Sequence, residues 1–213
     1  MNKSENEYSS KDLTARYAGF GIDTKMADNF SRCIEFHTYP APGLLIGVFM
    51  VDYALELLSA EVGQKLYGVC ETTKCLPDPL QVITHCTTGN HRLRVIPIGR
   101  FAITLNRPSE EPFADGVRVF VDREKTRDYE ILDLWYRNSP DFNPRTSKKA
   151  LTEEILSAGR NILSHEKVRV QVTPKQKWNS QTCSSCGEMI PENLLEGSVC
   201  GGCGSLCYYE KIK

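Results

Sequence analysis

Near the C-terminus two Cys-x-x-Cys pairs, Cys183/Cys186 and Cys200/Cys203, are separated by thirteen residues. Pairs at this spacing are the strongest constraint in the sequence. A tight turn lets both thiolates of one pair face a single ion, and two such turns complete a tetrahedron of four sulfurs. The spacing therefore predicts a small unit from about Gln181 to Tyr208, built around one structural zinc. It takes the form of a zinc ribbon or a treble clef. A four-sulfur site is closed and leaves no position for a reacting water, so its role is structural. Zinc in such sites supplies about 10–16 kcal/mol of folding free energy, which offsets the small core some thirty residues can make. The competing readings are four unligated cysteines and a rubredoxin-like iron site. Gly187, Gly201, Gly202 and Gly204 are expected to supply positive φ beside the sulfurs. Cys207 falls outside the spacing and is expected to pack as a small hydrophobe.

The 213 residues leave enough chain before this unit for an ordinary domain. With 40% hydrophobic and 25% charged residues, the composition is that of a globular protein. The net charge of −1 predicts no general affinity for polyanions. Lys175 and Lys177 form a weak basic patch best read as a solvated face. Trp178, Tyr208, Tyr209, Lys211 and Lys213 flank the cysteines, but Glu188, Glu192 and Glu196 counter them, so nucleic acid is not a favoured partner. The N-terminus lacks an apolar signal region, and the longest apolar run, Gly43 to Leu58, is too short for a membrane span and holds Asp52 and Glu56. A cytoplasmic location follows as the expectation, and in a reducing compartment paired cysteines read as metal ligands.

Along the chain, residues 1–14 read as a polar arm. Helices are expected over 24–36, 44–58, 78–84, 127–137 and 146–164, and strands over 66–71, 92–96, 100–106, 116–122 and 167–173. Asp78 is expected to cap the third helix with Pro79 at its first position. The strands from 92 to 122 suggest an antiparallel meander. In the last of these, Val117, Val119 and Val121 share one face, and Arg118, Phe120 and Asp122 the other. The partial segregation of strands and helices predicts an α+β fold, an antiparallel sheet core packed with helices. The division proposed is a core over 1–174 and a zinc finger over 175–213. The helix over 44–58 is apolar nearly all round and needs burial on every side.

The segment Phe36-His37-Thr38-Tyr39-Pro40-Ala41-Pro42-Gly43-Leu44-Leu45-Ile46-Gly47 resembles the F-H-G-H-x-C-P-G-L-x-x-G signature of the FmdE family, named for a protein encoded alongside molybdenum formylmethanofuran dehydrogenase. Downstream, Cys75 to Gln81 is similar to that family's C-x-x-D-A-x-Q, Thr84 to Asn90 to its T-G-C-T-x-G-N, and Gly99 to Ala102 to its G-K-x-A. The matches keep their order and span residues 24 to 122. The resemblance implies an α+β core in a homodimer, with an added zinc finger, a treble clef, in some members. His37, Cys75 and Cys86 stand at matching positions, so they are the candidate catalytic or ligand residues of a core pocket, with a second metal there as one use of it. Tyr39 replaces the family's second His, and Ala41 its Cys, which removes two ligands. His85 and His91 are read as surface residues.

Three functions are open on this reading. The first is an enzyme or an accessory of one-carbon or redox metabolism, with His37 as acid/base or ligand and Cys86 as thiolate nucleophile or ligand. The sequence holds no cofactor fingerprint and no clear pair of catalytic carboxylates. The second is a regulatory or interaction protein using the finger for contact with protein or nucleic acid. In the third, the finger only braces the dimer.

Overall fold

A computed structural model describes residues 17, 19–61, 63–173 and 177–212. The arm over 1–14, Lys175 and Lys213 lie outside the described residues. The chain divides into two compact units, with the division between Val172 and Thr173.

In the first unit, helix α1 (Thr24–His37) starts where the Asp23 carboxylate accepts the Met26 N–H at 2.7 Å. It ends at Thr38, which takes the left-handed conformation (φ 76°). Pro42 then opens α2 (Pro42–Leu57), because a proline at the first position gives up a hydrogen bond no helix would make there. Its residues from Gly43 to Val51 are all buried. Strands β3 (Ala102–Asn106) and β4 (Phe113–Val121), helices α1, α3 (Pro77–Thr84) and α6 (Lys148–Ala158), and a 3₁₀ turn over Gly159–Ile162 cover it. Burial on every side is thus met within one chain over Gly43–Val51, while Tyr53, Leu55 and Leu57 are only partly buried.

The sheet has five strands in the order β2-β1-β3-β4-β5, where β1 is Tyr67–Cys70, β2 Leu93–Val95 and β5 Leu163–Gln171. From β3 to β5 it is an antiparallel meander. The expected continuation of the meander through β2 does not occur: β2 lies parallel to β1 and does not pair with β3. The α3 crossover between β1 and β2 is long enough to return the chain to the same end of the sheet. Val117, Val119 and Val121 are buried, as their alternation predicts.

Other boundaries shift for local reasons. The helix expected over 146–164 stops at Ala158, because Gly159 turns to φ 52°. The residues after the 3₁₀ turn then pair with β4 over its full nine-residue length. Of the stretch over 127–137 only α5 (Glu130–Tyr136) is helical, and a separate one-turn helix, α4 (Arg123–Thr126), precedes it. The N-cap of α3 is Leu76, with Pro77 rather than Pro79 leading the helix, which frees the Asp78 carboxylate for another partner. The architecture is α+β. No helix among the described residues is long and apolar enough to cross a membrane.

Candidate functional site

The second unit consists of two hairpins. Strand β6 (Ser180–Thr182) pairs with β7 (Met189–Pro191), and β8 (Leu195–Glu196) with β9 (Val199–Cys200). The first hairpin holds the Cys183–Cys186 turn in its loop, closed by Cys183 N–H to the Glu188 carbonyl and Gly187 N–H to the Cys183 carbonyl, both 2.9 Å. The second Cys-x-x-Cys turn follows β9 in a 3₁₀ turn (Gly201–Cys203), closed by Gly204 N–H to the Cys200 carbonyl at 3.0 Å. No α-helix follows among the described residues up to Ile212, so the pair of hairpins is ribbon-like and lacks the helix of a treble clef. Among the four glycines expected at positive φ, only Gly187 (78°) adopts it. Cys207 is exposed and its thiol donates to the Tyr209 carbonyl, so it does not pack as a hydrophobe.

The four sulfurs of Cys183, Cys186, Cys200 and Cys203 all lie within 4.8 Å of one another. Four thiolates at about 2.3 Å from a tetrahedral zinc stand about 3.8 Å apart, and the Cys186 and Cys200 sulfurs are 3.9 Å apart. The residues therefore fit a metal of that size. Cys183 is prepared for the thiolate form. Backbone N–H groups, that of Cys186 foremost and then those of Cys200 and Ser185, pull its pKa down to about 6. One of these, Cys200 N–H, lies 3.3 Å from the sulfur.

In the core, His37 is the last residue of α1. Its Nδ1 is 2.6 Å from Asp78 Oδ2 on the first turn of α3. A carboxylate there accepts the Nδ1 proton and leaves the Nε2 lone pair available as base or ligand. Nε2 is buried and faces no polar partner. Tyr39 lies beside the ring, 4.8 Å between centroids, and is more than half exposed, so it does not fill the place of a buried ligand. Ala41 is buried as the N-cap of α2. Cys75, at φ 34°, sits against the start of the same helix: a Cβ on Gly43 would stand 3.2 Å from its sulfur.

The Asp78 charge also acts on three thiols. Burial, with the Asp78 charge adding to it, raises Cys33 to about 12, against the pull of Arg32. Burial raises Cys70 to about 11 and raises Cys75 as well, and Asp78 adds to both. These thiols stay protonated at neutral pH. Cys86 lies elsewhere, wholly buried, its thiol donating to the Leu66 carbonyl at 3.2 Å. Burial raises its pKa too. A fully enclosed, protonated thiol serves packing and not nucleophilic attack. Among the described residues, the four-cysteine cluster is the one group of three or more His, Cys, Asp or Glu ligand atoms within such reach. His37, Cys75 and Cys86 do not form a second. What sequence reasoning missed is Asp78, read there as a helix cap although it is the Asp of the C-x-x-D segment. His85 and His91 are exposed, as expected.

The same core is found in other proteins. The family described as "FmdE, Molybdenum formylmethanofuran dehydrogenase operon" matches residues 36–171, which is most of the chain. The chain belongs to the FmdE family. The crystal structure of a tungsten formylmethanofuran dehydrogenase FmdE-like protein from Syntrophus aciditrophicus is similar to this FmdE chain at a TM-score of 0.70 and 34% identity, over 86% of this chain and 95% of that one. A protein of Archaeoglobus fulgidus named as a probable S-adenosyl-L-methionine-binding protein is 29% identical over 205 residues. That match covers 87% of this chain and 55% of the relative, so this chain spans about half of the relative's length.

Proposed function

We propose that this FmdE protein binds one structural zinc through Cys183, Cys186, Cys200 and Cys203, and that its core serves one-carbon or redox metabolism as an accessory, using His37 at a small-ligand site. The observation that carries the first part is the gathering of four sulfurs within 4.8 Å, at the spacing tetrahedral zinc requires. The zinc supplies cross-linking and no catalysis, because all four positions around it are sulfur. The His37–Asp78 pair with its free, buried Nε2 supports the second part. So does the Archaeoglobus relative, whose name points to a one-carbon donor. Metal analysis of the purified protein tests the reading. One zinc per chain loads the finger alone, and two load a core site that includes His37. No zinc, or iron with visible absorbance, overturns it.

The core over 1–174 and the finger over 175–213 act as separate domains in this reading, and the chain works in the cytoplasm as a homodimer. Nine cysteines without a disulfide support a reducing compartment. A second use of the finger is contact with a partner protein, favoured by Met189, Leu194, Leu206 and Tyr208, each more than 60% exposed. Truncation after Val172 separates this from a bracing role. A chain that turns monomeric in light scattering used the finger as a brace, and one that stays dimeric did not.

A further inference from the structure

The first unit contains a cleft of about 830 Å³, distinct from both the cysteine cluster and the His37–Asp78 pair. Ligand pockets commonly measure about 300–1,000 Å³. One wall is the Gly99–Ala102 segment, whose sequence resembles the G-K-x-A stretch. Arg118, Phe120 and Val121 of β4, Thr72 and Lys74 after β1, and the C-terminal part of α5 complete it.

Five cationic side chains line it: Lys74, Arg100, Arg118, Arg123 and Arg137. Among the described residues, no Asp or Glu does. The carboxylates stand behind the lining and hold the arginines in pairs. Glu71, nearly buried, takes Arg118 through both of its oxygens (2.6 and 3.1 Å) and Arg100 at 2.6 Å. Asp133, also largely buried, takes Arg123 at 2.7 Å and Arg137 at 2.8 Å. Exposed Glu166 adds one contact to Arg118. Five cations thus meet three paired carboxylates, and positive charge remains on the cleft side. Each buried acid fixes two guanidinium groups before any ligand arrives, so less side-chain freedom is lost on binding.

Four aromatic rings, Phe101, Phe120, Trp135 and Tyr136, also line it. Phe101 meets Trp135 and Tyr136 edge to face, at 6.3 and 6.4 Å between centroids. Phe120 lies under the Arg118 guanidinium at 4.9 Å. Guanidinium forks recognise phosphate oxygens in pairs, and exposed ring faces take a planar base.

We propose that this cleft binds a free nucleoside di- or triphosphate, its phosphates on the paired arginines and its base against Phe101 and Trp135. Such a site is separate from the zinc cluster and stands whether or not the finger holds metal. It also disfavours S-adenosylmethionine, whose sulfonium places a fixed positive charge among the arginines.

The test is calorimetric titration of the full-length, zinc-loaded protein with ADP, inorganic pyrophosphate, adenosine, S-adenosylmethionine and a single-stranded oligonucleotide, at low and high salt. ADP is expected to bind more tightly than adenosine or S-adenosylmethionine, and pyrophosphate to compete with it. High salt should weaken it. Arg100→Gln with Arg137→Gln, both on exposed side chains, should weaken ADP and pyrophosphate at least tenfold. Phe101→Leu should weaken ADP and leave pyrophosphate unchanged. The wild-type titrations decide the matter even if a variant misfolds. No ADP binding up to millimolar concentration overturns the proposal. So does ADP affinity that the double substitution leaves intact, displacement of ADP by S-adenosylmethionine at lower concentration than ADP itself requires, or binding of the oligonucleotide alone.

Discussion

Glu71 shows how much a single residue can organise. It is buried at the end of β1 and accepts from two arginines. The Arg118 hydrogen bond, ahead of opposing burial and aided by the Arg100 charge, lowers its pKa below the ordinary carboxylate value. A folded-state pKa below the unfolded one means that the carboxylate stabilises the fold above about pH 4.3, and that this contribution is lost as pH falls further through the folded value. Glu71→Gln is therefore expected to lose about 1–3 kcal/mol at neutral pH, since a neutral amide replaces the charge and Arg118 keeps only its ion pair to exposed Glu166. The variant should also show a shallower loss of stability on acidification. Urea unfolding at pH 7 and pH 3.5 measures both, and an unchanged pH slope counts against the assignment. The sequence offered no hint of this role, because an ion pair between positions 71 and 118 depends on strand register. The same holds for His37 and Asp78: each stood in a recognisable stretch, but their contact across 41 positions required the packing of α1 on α3.

At the scale of elements, α2 is where composition and packing agree best. Its apolar run announced a buried helix, and Gly47 shows how closely it is held. A Cβ there would lie 2.9 Å from the Pro79 ring and 3.0 Å from Leu76 on α3. Alanine at this position gains about 0.5–1 kcal/mol of helix propensity, yet forces two helices apart at a cost of about 1–3 kcal/mol. Gly47→Ala is expected to be destabilising by urea unfolding, and a gain in stability would show that α3 yields freely. Helix periodicity and proline placement made α1 to α3 legible to within a residue or two. The parallel β1–β2 pair was not legible, since two short strands carry no signal of direction. The start of β5 was hidden because Leu156, Ile162 and Leu163 continue an apolar spacing past Gly159, and only the glycine's backbone turn marks the change.

For the whole molecule, the two units should lose their structure separately. The finger has hairpin strands of two or three residues and mostly exposed side chains, so little besides the proposed zinc would oppose chain entropy. Cys183→Ser combined with Cys200→Ser, or a strong chelator on the wild type, is expected to abolish zinc binding and expose sites beyond Val172 to limited proteolysis. The thermal transition of the core should persist. A full equivalent of zinc in the double variant would disprove the assignment. The paired spacing made the cysteine cluster legible, because four like side chains in two Cys-x-x-Cys turns define their own geometry, whereas the glycine conformations and the exposure of Cys207 were not legible.

The burial of α2 also has a consequence for the protein as it is made. Elements that cover this helix include β4, α6 and the 3₁₀ turn ending at Ile162, roughly 100 residues after its own end. At about 5–20 residues per second, the ribosome delivers them some 5–20 s later. For that interval the most apolar segment of the chain has left the tunnel without its final neighbours. The nascent chain is then a natural client for holding chaperones, and slower translation between Leu57 and Ile162 would lengthen the time during which it can aggregate.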